Sequence, residues 1–326
     1  MSIPTHAPLP VRAGVAPSFV CLPHAGWSDV LSFLVERFPA VAAEAWRARM
    51  ARGDVVDQHG ARLQPDSQCR HGLIIYYYRE PVAETPIPFA ETILYRDAHL
   101  LAVDKPHFLP VTPGGRFLQE TLLVRLKRAT GIADLAPIHR LDRETAGVVL
   151  LSCDRTTRGA YQALFRDRAV EKIYEALAPT APHLQFPLLR RSRMVDGTPF
   201  FRMQETAGEP NAETAIDVIE QRGEWTLYRL CPATGKRHQL RVHMAALGIP
   251  IRNDAFYPVA LPDKGDDFSQ PLQLLAREIA FVDPLSGEGR RFASGRSLTL
   301  GIPARDLHSP HDPSPAAATD PHASSG

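Results

Sequence analysis

Residues 139–147 read HRLDRETAG, and they lead directly into the apolar run VVLL at 148–151. A short apolar run that follows a turn is typical of a buried strand, so this stretch predicts a loop and then a core strand. In the loop, Asp142 lies between Arg140 and Arg143, and neighbouring cations favour the charged form of a carboxylate. Such a group is either half of a surface ion pair or a nucleophile toward an electrophilic sugar or base carbon.

Composition narrows the class of protein. The chain has 326 residues, 44% of them hydrophobic, which is enough for two folded domains. Its net charge is only +1, so any surface for nucleic acid must be a local patch. The four cysteines form no CxxC pair, which argues against a zinc site or a disulfide framework. The sequence shows neither a signal-peptide pattern nor an apolar run of about 18 residues, so we expect a cytoplasmic protein with no membrane partner.

The order of patterns along the chain predicts five segments. A Pro- and Ala-rich flexible segment covers 1–24, a small α+β module covers 25–80, and a proline-rich linker covers 81–88. A larger domain covers 89–302, and a tail rich in Pro, Ser and Ala covers 303–326 and is expected to be disordered.

Local patterns predict an α+β fold with a mixed, mainly antiparallel sheet, because strands outnumber helices and few connections have βαβ character. In the small module we expect a helix capped by Ser28 and stopped by Pro39, then a helix that ends at Gly53. Strands are predicted near 54–56 and 73–78 in the module, and at 93–95, 100–103, 148–152, 170–178 and 225–231 in the larger domain; helices are predicted there at 155–167 and 236–247.

Several familiar catalytic motifs are missing from the sequence. There is no GxSxG or HExxH pattern, and Thr234-Gly235-Lys236 is no phosphate loop, because Leu230 occupies the position of the first glycine and Arg237 that of the Ser or Thr. His238 and His243 are five residues apart, which on a helix turns them about 140° away from each other and makes them poor joint metal ligands. We therefore expect no metal and no cofactor.

Two further segments carry polar groups suited to chemistry. The strand VEKIYEALA places Lys172 and Tyr174 on one face. The segment ATGKRHQLRVHMAALGIPI predicts a helix with Leu240, Met244 and Leu247 toward the core. On another face Arg237 and Arg241 are neighbours four residues apart, with His238 nearby, and a basic helix start after a Thr-Gly turn suits a phosphate-bearing ligand.

The residue patterns of these segments and their order along the chain resemble the motifs of the RluA-type family of RNA pseudouridine synthases. HRLDRETAG is similar to its HRLDxxTSG signature, EKIYEALA to its K-x-Y strand, and ATGKRHQLRVHMAALGIPI with the following Asn253-Asp254 to its T-G-R-x-H-Q segment. The opening strand pair with Lys105-Pro106 and the closing LQLLAREIAFVDPLSG also match, so the likeness covers about residues 90–290. Departures are Ala146 for Ser, Lys236 for Arg, and Asp283 for His.

The resemblance implies a site and an activity. Asp142 would be the catalytic aspartate that converts uridine in RNA to pseudouridine, attacking the sugar or the base or assisting elimination at the sugar. Arg241 would pair with Asp142, and Tyr174 would pack against the uracil and take part in removing the C5 proton. No cofactor or energy source is implied.

The resemblance also implies how RNA is bound. The target base must leave its stack, and Arg140, beside Leu141, would fill the vacated space or hold the phosphate of the flipped nucleotide. Lys236, Arg237 and His238 would contact the RNA backbone. Ribosomal and transfer RNA are both substrates within the family, and the sequence does not choose between them. A monomer is the default expectation.

Three alternatives stay open at this stage. The N-terminal module resembles a degenerate S4 RNA-binding domain, with Arg52-Gly53-Asp54-Val55 and His71-Gly72-Leu73-Ile74 in the matching places, but a module with only a packing role fits as well. The whole chain could be an RNA-binding protein without catalysis. It could also be an Asp142-dependent hydrolase, for which Glu144 is the nearby candidate acid.

Overall fold

The structure, a computed structural model, describes residues 7–23, 26–80, 84–262 and 265–298. The tail predicted for 303–326 lies outside these ranges, as does the start of the segment predicted to be flexible. None of the helices in the described ranges combines the length and the apolar character needed to cross a bilayer.

The N-terminal module is a three-stranded antiparallel sheet with two helices. The sheet has the order β1-β3-β2. In chain order the elements are β1 (Ser18–Cys21), α1 (Val30–Arg37), α2 (Ala43–Ala51), β2 (Val55–Asp57) and β3 (Ile74–Tyr77).

The predicted helices of the module are present, with one correction at a cap. The N-cap of α1 is Asp29, whose carboxylate accepts the backbone N–H of Ser32 at 2.7 Å, whereas the Ser28 hydroxyl donates to Asp29. Both residue types serve as caps, and only the entry angle of the chain decides between neighbours. Gly53 follows α2 with φ +76°, in the left-handed conformation expected of a residue that ends a helix.

Two predicted segment boundaries differ from the structure. The flexible segment 1–24 was drawn too long, because β1 pairs with β3 along its whole length and Leu22 is fully buried. In the predicted linker 81–88, residues 81–83 lie outside the described ranges, but Glu84 accepts backbone N–H groups of residues 118–120 and Ile87 is buried. The proline content predicts an extended chain here, but an extended chain can pack against a domain as well as link two domains.

The larger domain is built on one sheet of eleven strands. Nine of them follow the order β10-β9-β11-β12-β8-β13-β7-β5-β4, while β14 pairs with β13 and β6 with β7. All recorded pairs in this sheet are antiparallel except β13 with β7, which confirms the α+β class with a mixed, mainly antiparallel sheet. The strands are β4 (Thr92–Arg96), β5 (Leu100–Lys105), β6 (Ala136–Pro137), β7 (Ala146–Ser152), β8 (Val170–Pro179), β9 (Leu188–Asp196), β10 (Met203–Thr206), β11 (Ala212–Arg222), β12 (Trp225–Pro232), β13 (Leu274–Val282) and β14 (Gly289–Ala293).

Three helices accompany this sheet: α3 (Leu122–Thr130), α4 (Arg158–Arg166) and α5 (Gln239–Ala246). The buried face of α5 carries Leu240 and Met244, which share a core cluster with residues of β8 and β12, and Leu247 packs against it, as the sequence predicts. The predicted strands of the larger domain correspond to β4, β5, β7, β8 and β12. Helix α3 and strands β6, β9, β10, β11, β13 and β14 were not predicted.

The parallel contact between β7 and β13 fixes the strand that follows the HRLD loop. Gly147 has φ +112°, and a Cβ added there would lie 2.2 Å from the backbone oxygen of Ala276. Ala146 is completely buried against the same crossing. Glycine therefore belongs at 147, because no side chain fits between the two backbones there.

Candidate active site

A cleft of about 860 Å³ opens where the loop before β7, the strand β8 and the start of α5 meet. All eight residues that the sequence singled out line this cleft: Arg140, Leu141, Asp142, Tyr174, Lys236, Arg237, His238 and Arg241. They come from three segments far apart in the chain, which the fold brings together at this cleft.

Lys105, at the end of β5, holds the loop that carries Asp142. Lys105 is fully buried, and its ammonium group donates to the carbonyl oxygens of Pro106, Leu109 and Arg143 at 2.8–3.0 Å. Burial lowers the pKa of Lys105 to about 7, against the opposing attraction of Asp142. Three carbonyl partners use all three donors of the ammonium, so Lys105 fixes both the Lys-Pro turn and the backbone next to Asp142.

Asp142 is paired with Arg241 of α5. Nη1 of Arg241 lies 3.0 Å from Oδ2 of Asp142, and the Asp142 side chain remains 29% exposed toward the cleft. Among the described residues, no hydrogen bond is recorded to Oδ1 of Asp142. The arrangement therefore anchors one carboxylate oxygen, Oδ2, of a side chain that lines the cleft.

Arg241 is held in turn by a second carboxylate. Asp254 accepts Nε at 2.8 Å and Nη2 at 2.7 Å, and it also accepts the backbone N–H groups of Phe256 and Tyr257. Burial opposes the charge of Arg241, but the Asp254 hydrogen bonds and the charge of Asp142 together raise its pKa above the usual value. Because Asp254 holds Nε and Nη2 of the planar guanidinium, the third nitrogen, Nη1, points in a fixed direction.

His238 completes the wall beside Asp142. Its Nε2 is 3.8 Å from Oδ2 of Asp142, and its Nδ1 is 2.9 Å from the hydroxyl of Tyr257. Burial lowers the pKa of His238, while the charge of Asp142 acts in the opposite direction. His238 is therefore mostly a neutral hydrogen-bonding group near pH 7, not a phosphate-binding cation.

Tyr174 and Lys172 lie on β8 and both line the cleft, as the period of two predicts. Burial, and then the charge of Asp142, raise the pKa of Tyr174 well above that of a free phenol. Burial also lowers the pKa of Lys172, whose ammonium donates to the Thr234 carbonyl at 3.2 Å. Tyr174 consequently presents a neutral aromatic ring to the cleft.

The expectation that Arg237 and Arg241 share one helical face is wrong. His238 adopts φ +55° and α5 starts at Gln239, so Arg237 precedes the helix. Arg237 is exposed and its Nη2 donates to Asp196 at 3.0 Å and to two backbone carbonyls near the end of β9, whereas Arg241 is buried. A left-handed residue at the N-cap breaks the helical register that the spacing assumed.

Neither sequence neighbour of Asp142 is the cation that contacts it. Arg143 stacks over the ring of Phe117 at 5.2 Å and lies 3.6 Å from Glu144, while Arg140 is exposed at the mouth of the cleft. Leu141 is half-buried and packs against a core cluster. The backbone turn at 142–145 directs alternate side chains apart, which sequence adjacency does not reveal.

Two important residues received no role from the sequence. Asp254 appeared there only as part of the Asn-Asp continuation, and Lys105 only as part of a Lys-Pro pair. Both are fully buried charged residues, and such residues are almost always paired. The apolar run at 100–103 before Lys105 was an available signal of burial, whereas Asp254 follows Arg252 and Asn253 and had no such signal.

Comparison with known proteins places this arrangement in a family. The family model for RNA pseudouridylate synthases matches residues 99–246. The dual-specificity RNA pseudouridine synthase RluA of Salmonella typhimurium is 33% identical over 218 residues, covering 65% of this chain and 92% of that protein. The chain belongs to the RluA-type family of RNA pseudouridine synthases.

Other relatives and solved structures agree with this membership. An uncharacterized RNA pseudouridine synthase of Synechocystis is 30% identical to this synthase, covering 70% of this chain and 79% of that protein. The structure of human RNA pseudouridylate synthase domain containing 1 shares the fold, with a TM-score of 0.53 at 22% identity over 66% of this chain and 86% of that one. The chain is thus a pseudouridine synthase, an isomerase that acts on RNA.

Proposed function

We propose that this synthase isomerises specific uridines in ribosomal or transfer RNA and that Asp142 is its catalytic carboxylate. The observation that carries the proposal is the Asp142–Arg241 pair at 3.0 Å, in which the Asp142 side chain is 29% exposed and lines the cleft. Relatives named dual-specificity RNA pseudouridine synthase support more than one class of RNA as substrate.

The reaction needs no external reagent. The bond between N1 of uracil and C1′ breaks, the base rotates, C5 bonds to C1′, and C5 loses a proton while N1 gains one. Asp142 attacks the sugar or the base, or assists elimination at the sugar. Each route uses an ionised carboxylate. Arg241, whose guanidinium keeps its charge, holds that carboxylate in place.

Tyr174 supplies a ring against which the flipped uracil packs. Because burial raises the pKa of Tyr174, its phenolate is scarce near neutral pH. A neutral phenol is a weak base, so packing is the role that we assign first, and removal of the C5 proton comes second.

RNA binding follows from the exposed cations at the mouth of the cleft. Arg140 and Lys236 are exposed there and suit phosphate contacts, and Arg140 also suits the space left by the flipped base. Arg237 is already engaged with Asp196, so we assign it to holding the backbone near RNA, and His238 to the wall of the cleft. We also propose a cytoplasmic monomer.

The N-terminal module is proposed to add an S4-like RNA contact. Its Arg47 is exposed on α2, whereas Arg49 is buried and Arg52 is paired with Asp54 and Glu80. Removing charge at Arg47 should weaken RNA binding if the module contacts RNA and leave it unchanged if the module only packs.

A hydrolase is the less favoured function. Glycoside hydrolysis uses a second carboxyl group across the substrate. Among the described residues that line the cleft, Asp142 is the one acidic side chain, and Glu144 does not line it.

Asp142→Asn tests the proposed function directly. We expect the variant to keep its fold and its RNA binding but to lose at least about 1,000-fold in rate, since it removes the nucleophile. Pseudouridine mapping of ribosomal and transfer RNA from cells lacking the gene, complemented by each form, identifies the substrate. Sites that persist in the deletion strain would instead favour RNA binding without catalysis.

A further inference from the structure

The loop between β9 and β10, residues 197–202, exposes an aromatic side chain at its tip. Phe200 is 85% exposed, far more than any other phenylalanine among the described residues. A neighbouring segment is exposed too, with Val259 at 67%, and Arg202 connects the two by donating to the Pro258 carbonyl at 2.7 Å. Isolated exposed side chains are ordinary, but two exposed apolar side chains on segments joined by this hydrogen bond indicate a contact surface.

This loop is attached to the mouth of the catalytic cleft. Arg237, which lines the cleft, donates from Nη2 to the carbonyls of Phe200 and Arg202, both at 3.1 Å, and to Asp196 at 3.0 Å. The tip is therefore fixed relative to the exposed Lys236, the adjacent residue. A chain of RNA that reaches the cleft past Lys236 meets this loop.

Aromatic contacts connect the same loop with the catalytic ion pair. The rings of Phe200 and Phe201 are 5.6 Å apart, and Phe201 is 5.1 Å from Phe256. Phe256 in turn has the guanidinium of Arg241 4.8 Å from its ring centre. The loop thus forms part of the packing that surrounds Arg241, and it is not a detached surface feature.

We propose that Phe200 stacks on an unpaired base of the substrate RNA next to the target uridine. This rests on the proposed function, because it assumes an RNA strand in the cleft. Proteins bind unpaired nucleotides by combining aromatic platforms with nearby cations for the phosphates, and Phe200 with Lys236 offers that combination. An apolar protein partner would need Phe200 only as a hydrophobic side chain.

The test compares three substitutions at Phe200 with a matched control. Phe200→Ala, Phe200→Leu and Phe200→Tyr are measured beside Leu189→Ala, which truncates another exposed apolar side chain of the same hairpin. The probes are bulk transfer and ribosomal RNA from cells lacking the gene, labelled with tritium at C5 of uridine. Binding is measured by filter retention, turnover by tritium release, and contact by ultraviolet cross-linking of the peptide around 197–202.

We expect Phe200→Ala and Phe200→Leu each to raise both Kd and KM by about tenfold, with kcat nearly unchanged, because stacking needs a ring. Phe200→Tyr and Leu189→Ala should behave like the wild type, and the wild-type peptide should cross-link to RNA. Retained affinity in Phe200→Ala, or full rescue by Phe200→Leu, would overturn the proposal. If the wild type binds RNA but releases no tritium, the proposed reaction fails while the affinities still decide the role of Phe200.

Discussion

At the scale of single residues, the site depends on a cation held between two carboxylates. Arg241 is only 5% exposed, and it contacts Asp254 through two nitrogens and Asp142 through the third. A lysine could not replace this geometry, because an ammonium group has no planar fork with which to bind both partners. Asp254 therefore acts on Asp142 through Arg241, as a positioning residue.

Asp254→Asn should lower kcat by about 100-fold while leaving KM for RNA nearly unchanged. The reason is that Arg241 loses the charged partner that sets its direction, and misplacement by about 1 Å has an effect of that size. The variant should also lose about 3–5 kcal/mol of unfolding free energy, because a buried guanidinium loses its strongest partner. Steady-state kinetics and urea denaturation measure the two effects.

Asp283→Asn provides the control for Asp254→Asn. Asp283 is also buried, 3% exposed, and accepts the Tyr161 hydroxyl, but it does not line the cleft. It should destabilise the protein without a comparable change in kcat. An equal loss of kcat in both variants would mean that Asp254 supports folding alone.

The sequence identified the residues of the cleft better than it identified their contacts. Asp142, Tyr174 and Arg241 were found because short motifs preserve residue type and spacing. Electrostatics alone pointed to the neighbours Arg140 and Arg143, whereas the family resemblance implied Arg241, which the structure places 3.0 Å from Asp142 although it lies 99 residues away. Arg237 was misjudged because a helix start depends on one backbone dihedral, that of His238.

At the scale of elements, the crossing of β7 and β13 determines where the HRLD loop ends. The two strands run parallel and touch at Gly147, where the backbone of Ala276 occupies the space of a side chain. The loop before β7 therefore starts from a fixed point on the sheet, and the position of Asp142 depends on this contact.

Gly147→Ala should prevent or severely weaken folding, because the added methyl group would overlap backbone and cannot be relieved by a side-chain rotation. Gly223→Ala is the matched control, since Gly223 also has a positive φ, +59°, but nothing lies within 4 Å of an added Cβ. The control should lose only about 1 kcal/mol. Thermal unfolding of both variants separates the effect of steric overlap from that of backbone strain. An equal loss of stability in the two variants would show that only strain matters.

Predictability of the elements follows the strength of their local signals. Strands β5, β7 and β12 were found because they are apolar runs or alternate strictly. Strand β11 was missed because buried residues alternate only over its first part, 212–216, while the residues at 217–222 are exposed or half-buried. Helix α3 has a cap at Thr121 and a left-handed Gly131 at its end, so local reasoning could have found it.

At the scale of the whole molecule, three histidines with lowered pKa values should make the stability of the fold sensitive to acid. Burial lowers the pKa of His107 and His243 to about 4 and that of His139 to about 3. Each has a hydrogen-bond partner, respectively the Glu144 carbonyl, the Ser192 hydroxyl and the Leu150 N–H. We expect none of them to be protonated in the folded protein at mildly acidic pH.

The free energy of unfolding should therefore fall as the pH is lowered below about 6.5, the value for an unfolded histidine. Between that pH and about 4 the unfolded chain binds the extra protons, so the loss reaches about 1.4 kcal/mol per pH unit for each histidine. Urea denaturation between about pH 7 and pH 5 measures the slope. In His243→Gln the slope of unfolding free energy against pH should decrease by the contribution of one histidine. An unchanged slope would contradict the lowered pKa of His243.

The distance along the chain between Asp142 and Arg241 has a consequence for how activity is lost. Asp142 precedes β7, Arg241 follows β12, and the sheet between them must be complete before the pair can form. No fragment containing only one of these halves can hold both groups, and partial unfolding of either half separates them. On heating, the loss of turnover by this synthase is therefore expected to follow the unfolding of the central sheet.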